Sequence, residues 1–182
     1  MDLLYKYREL NSSVLIYPFD MLIENRKQYV KNIQYKENLW VTSLNLASNK
    51  NELPDSIVST HKNYIGFNNW FYDICQTGYF LINRRVATDS IRQMMKLENE
   101  YFPKLFNSVQ HLSEYKKWYT DDDAFWKLRN DVMAKNIIRF ADTYNAKTVV
   151  VFTGLMHKYI LTDLLNSYNT EQKYELVEYF EK

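Results

Sequence analysis

Three glycines and three prolines in 182 residues leave this chain few places to break or reverse, and that scarcity constrains its fold more than any other feature. Segments have to be separated by Asn, Asp and Ser clusters, and helix should dominate. Residues 2–10 read as a short helix. Ser13 to Tyr17 is a compact apolar run stopped by Pro18 and reads as a buried strand. Asp20 is placed to cap a helix starting at about Met21, and the polar stretch Ala47 to Asp55 ends it. Shorter helices follow to about Phe106, among them Thr88 to Tyr101, with Pro103 interrupting the path.

The last third is more regular. Thr120-Asp121-Asp122-Asp123 reads as a cap and acidic first turn of a helix reaching about Tyr144. Asn145-Ala146-Lys147 turns the chain into Thr148 to Phe152, whose unbroken β-branched character predicts a strand covered on both faces. Gly154 releases it into a helix from Leu155 to Ser167, and Tyr174 to Phe180 reads as an edge strand. The expectation is one α/β domain over residues 1–182, predominantly helical with a small, mostly parallel sheet.

Charge narrows the function classes. With 23 Lys and Arg against 22 Asp and Glu, the chain has no global field to draw in phosphate backbones or anionic membranes, so nucleic-acid and membrane partners are not expected. Cys75 is the sole cysteine; it can form no internal disulfide or cysteine-based zinc site and reads as a small core residue. The N-terminus lacks a basic start and apolar run, and no stretch approaches about 18 apolar residues, which gives a cytoplasmic location by default.

On the helix ending near Tyr144, Arg129 and Asn136 stand seven residues apart and so share a face read as apolar through Phe125, Leu128, Val132, Met133 and Phe140. Polar groups there need partners, supplied either by a structural network of carboxylates and loop carbonyls or by a ligand that the guanidinium clamps. His157 lies three residues after Gly154, in the first turn of a helix beyond the predicted strand. A helix N-terminus disfavours imidazolium, which suits a neutral metal ligand or general base. Asp20, just past the first predicted strand, could face the same edge. His61 and His111 lack ligand spacing, Asp121 to Asp123 read as a solvated cap, and no Gly-x-Ser-x-Gly, phosphate loop or dinucleotide fingerprint is present.

Arg129-Asn130, Met133-Ala134, Asn136-Ile137, the apolar run Thr148 to Phe152 and Gly154-Leu155-Met156-His157 together resemble the C-terminal signature of the TraB/Tiki/erythromycin-esterase-like superfamily, over residues 120–166. The resemblance implies an α/β sheet and hydrolysis of a peptide or ester bond with a divalent metal ion. His157 would be metal ligand or catalytic base, with Arg129 and Asn136 in the catalytic group. Asn130 and Gly154 would contact a small-molecule or peptide substrate, and Asp20, outside the matched residues, joins them only through its position past the first predicted strand. The family's opening strand with a second Gly-x-x-His, and its strand glutamate, have no counterpart before residue 13. That departure leaves a second expectation, a catalytically silent interaction domain that forms homo-oligomers or accepts a complementary N-terminal segment.

Overall fold

The computed structural model describes residues 2–178, and all of its regular secondary structure is helical. The helices are α1 Asp2–Leu10, α2 Arg26–Asn49, α3 Asp55–Gln76, α4 Tyr79–Ile82, α5 Arg85–Ser108, α6 Lys116–Thr143 and α7 Leu155–Tyr168, with a 3-10 turn Gln110–Tyr115 leading into α6. Helix makes up 74% of the structure and no strand occurs among the described residues, so the α/β expectation is wrong.

The reason is visible at each predicted strand. Thr148 to Phe152 is neither helix nor strand, with Val149, Val150 and Phe152 46%, 65% and 65% exposed and only Val151 turned inward. Residues 14–19 are likewise outside any helix or strand, with Leu15 56% exposed. A strand forms by hydrogen bonding to a neighbour, and no backbone bond joins these segments among the described residues. β-branched composition did not supply the pairing. Residues 174–178 also form no strand, the Tyr174 backbone bonding instead to the Asn169 side chain, while 179 and 180, the end of the predicted edge strand, lie outside the described residues.

Two apolar clusters organise the helices. The larger joins Trp40, Leu44 and Ala47 of α2 and Ile57 of α3 to Tyr101, Phe102, Leu105 and Phe106 of α5 and Leu112 of the 3-10 turn. This cluster explains why α5 runs through Pro103. An interior proline costs about 3 kcal/mol. Tyr101, Phe102, Leu105 and Phe106, all 3% exposed or less, lie on both sides of it, and each buried side chain stabilises by about 1.5–3 kcal/mol. The proline itself faces solvent. The smaller cluster, Met133, Ala134 and Ile137 of α6 with Leu161 of α7, is covered by Phe19 and Val151 from the non-helical segments.

Contacts His61–Tyr101 and Tyr64–Tyr101 dock α3 on α5, and the chain between them passes through Gly78, whose φ of 95° belongs to glycine. Gly66 is different. It sits inside α3 in helical conformation, where glycine costs roughly 0.5–1 kcal/mol relative to alanine, yet a Cβ there would meet nothing within 4 Å. Asp20 caps no helix, because α2 starts five residues later than a cap at Asp20 would place it, after Asn25 in the left-handed region at φ 51°. Nor does the triple aspartate begin a helix. α6 starts at Lys116, so Asp121 and Asp123 lie within it and pair with Lys117 and Lys127 at 2.7 and 2.6 Å.

Candidate functional site

Helix α6 presents Trp126, Arg129, Asn130 and Asn136 toward α7 and the non-helical segment before α2. Asn130 is fully buried and sets the chemistry of its neighbour. Its Nδ2 donates to the Trp126 carbonyl at 2.7 Å, and its Oδ1 lies 2.7 Å from His157 Nδ1. A backbone carbonyl only accepts, so the amide nitrogen must face it and the amide oxygen must face the imidazole. That oxygen also only accepts, so Nδ1 carries the hydrogen and Nε2 the lone pair.

Trp126, one turn before Asn130, stacks on the His157 ring with centroids 4.2 Å apart and planes at 19°. Burial against these groups, reinforced by the positive charge of Arg129 and opposed by Asp20, pushes the imidazole down to about 4. His157 is therefore neutral at pH 7. Its place in the helix agrees with the sequence expectation: its N–H is bonded to the Gly154 carbonyl at 2.9 Å in the first turn of α7. No strand precedes it. Gly154 has ordinary extended dihedrals, and a Cβ there would meet His157 Cδ2 at 3.7 Å, so neither backbone nor space requires glycine.

Arg129 is held by Asp20 in a fork: Nε donates to Oδ1 at 2.8 Å and Nη2 to Oδ2 at 2.7 Å, with side chains 16% and 25% exposed. Arg26 adds a contact at 3.3 Å, and the Met21 N–H donates to Asp20 Oδ1 at 2.8 Å. The arginine's hydrogen bonds hold the Asp20 carboxyl below the usual carboxylate range, and the aspartate raises Arg129 in return. Asn136 Nδ2 donates to the Phe19 carbonyl at 3.0 Å. Carboxylate and loop carbonyl are the partners expected of a structural network, and both belong to the segment ahead of α2.

The structure thus brings Asp20, Arg129, Asn130 and His157 together, with Asn136 fastening the same segment further along α6. Asn136 orients neither His157 nor Arg129; Asn130 orients the histidine. Trp126 was missed, although its spacing of four from Asn130 was a usable signal. A divalent ion does not fit this donor set. No group of three or more His, Cys, Asp or Glu able to hold a metal exists among the described residues, and both Asp20 oxygens are engaged by Arg129.

The other titratable candidates are accounted for. His61 is buried and its Nδ1 lies 2.7 Å from the Tyr101 hydroxyl. His111 is a surface residue 3.6 Å from Glu52. Cys75 is exposed, contrary to its reading as a core residue. No helix among the described residues is long and apolar enough to cross a membrane. No protein-family model, curated protein or solved structure matches this chain.

Proposed function

We propose that His157 is the general base of a metal-independent hydrolytic site acting on an ester or peptide bond in a small substrate. The observation that carries this reading is the fixed tautomer, a neutral imidazole whose Nδ1–H is held by Asn130 and whose Nε2 lone pair has no hydrogen-bond donor among the described residues. Nε2 takes a proton from water, the hydroxide oxygen attacks the carbonyl carbon, and the imidazolium returns the proton to the departing alkoxide or amine. Asn130 is a positioning residue that keeps the ring in register. Arg129 spends two N–H groups on Asp20, and its remaining donors and charge favour the oxyanion of the tetrahedral intermediate.

A base at about 4 is persistent but weak, so its contribution belongs at the low end, on the order of a hundredfold. Hydrolysis of p-nitrophenyl acetate and of a peptide p-nitroanilide distinguishes ester from amide chemistry. His157→Ala lowers the active rate by about a hundredfold while the far-UV spectrum is kept. An unchanged rate removes His157 from the chemistry.

A second reading has its own support. The non-helical stretch Thr148 to Phe152 carries exposed Val149, Val150 and Phe152 and makes no backbone–backbone hydrogen bond among the described residues, which leaves it open to pairing with another chain. On that reading the domain binds a second copy or a complementary segment, and the Arg129 network only anchors the adjoining chain.

A further inference from the structure

A groove of about 610 Å³ runs between α3 and α5, on a different set of residues from the His157 site. Its α3 wall is the stripe Lys62, Gly66, Phe67 and Trp70, which helical spacing places on one face. Opposite stand Ser90, Gln93 and Lys96 of α5, and a shallower hollow shares Phe67, Ser90 and Gln93.

Gly66 is the informative residue. Its backbone is helical, so no unusual φ calls for glycine, and a Cβ would touch nothing within 4 Å, so helix packing does not call for it either. What the missing side chain provides is open floor between the Lys62 ammonium and the Phe67 and Trp70 rings. Charge indicates the kind of molecule that would use it. Lys62 and Lys96 pair with no carboxylate among the described residues, and Glu100 is the one acid in the lining, leaving an excess of one positive charge. Aromatic faces supply a stacking surface, ammonium groups attract an anion, and the amides and hydroxyl of Asn63, Gln93 and Ser90 set its orientation.

We propose that this groove binds a small planar aromatic anion, its ring over Gly66 against Trp70 and its carboxylate or phosphate between Lys62 and Lys96. The two anion types are distinguished by their own probes.

The test titrates the full chain into 1-naphthoate, 1-naphthyl phosphate and neutral 1-naphthol, following naphthyl fluorescence anisotropy. At least one anion binds saturably with Kd below about 1 mM, and the tighter of the two names the class. Gly66→Leu fills the floor and abolishes binding with the helical spectrum intact. The Lys62→Gln, Lys96→Gln double variant weakens the anion at least about threefold and leaves naphthol unchanged. Gly66→Ala raises the melting temperature by about 2–4 °C, showing that the wild-type glycine is not there for stability. Absence of saturable anion binding, binding unaltered by Gly66→Leu in a folded protein, or naphthol binding as tightly as the anions overturns the proposal. His157→Ala does not alter this binding, so its outcome is separate from that of the hydrolytic site.

Discussion

Glu98 of α5 is an acid that the fold places where ionisation is unfavourable. Burial is the main cause, and the carboxylates Asp123, Glu37 and Asp122 add repulsion, so its carboxyl is pushed from 4.5 up to about 7. Because the folded value lies above the unfolded one, the native state holds this proton more tightly. The associated stability is fully present below pH 4.5, declines as pH rises toward 7, and is gone above it. At roughly 1.4 kcal/mol per decade the gap corresponds to about 3 kcal/mol, and residual contact of the side chain with water reduces it to about 2 kcal/mol. Glu98→Gln removes the charge while keeping the shape. In urea melts at pH 8 the variant is more stable than wild type by about 2 kcal/mol, and at pH 5 the two agree within about 0.5 kcal/mol. An equal difference at both pH values would refute the reasoning, since a packing effect does not follow the proton.

Arg129→Ala destabilises by about 1–3 kcal/mol, because it leaves the half-buried Asp20 carboxylate without its fork, whereas Arg129→Met keeps the apolar stem and recovers roughly 1 kcal/mol. Equal urea midpoints for the two variants contradict this. His157, observed by nitrogen-resolved NMR, stays neutral with Nε2 unprotonated down to about pH 4. Since its folded value lies below the unfolded 6.5, its contribution is complete above 6.5 and is lost as pH falls to about 4, by about 1–2 kcal/mol after allowance for solvent; a midpoint near 6.5 would mean that Trp126 and Arg129 do not act on the ring. If the Thr148 to Phe152 stretch associates, light scattering detects oligomers that Val150→Lys disperses, with stability changed by less than about 0.5 kcal/mol because Val150 already faces water. A monodisperse wild-type monomer would end that reading.

The sequence made part of this arrangement legible. Helical spacing was sufficient to put Arg129 and Asn136 on a face that needed polar partners, and both found them. The position of His157 in a first helical turn followed from Gly154 and the apolar run after it. Three things were not readable, each because the outcome depended on the presence or absence of a partner that the local sequence does not specify. Thr148 to Phe152 has strand composition, but a strand requires a neighbour that no periodicity can supply. Asp20 has the chemistry of a helix cap, but its carboxylate is spent on Arg129, 109 positions away. Pro103 signals a break, but the aromatic cluster around it holds α5 together. Leu128 shows the converse, a residue assigned to the apolar face that is 54% exposed.

The fork between Asp20 and Arg129 also orders events in time. It closes a loop of 109 residues that contains α2, α3, α4 and α5, together with the turn into α6. Closure entropy grows with loop length, so contacts that span so much chain form after the local helix pairs have collapsed and shortened the distance. The pocket of charge beside His157 is consequently a late product of folding. The histidine, asparagine and tryptophan lie on α6 and α7, which follow one another in the chain, so their contacts close a far shorter loop than the fork does. An interaction completed after the rate-limiting step acts on how long the native state lasts more than on how fast it is reached, so a fork that closes last bears on the lifetime of the assembled site.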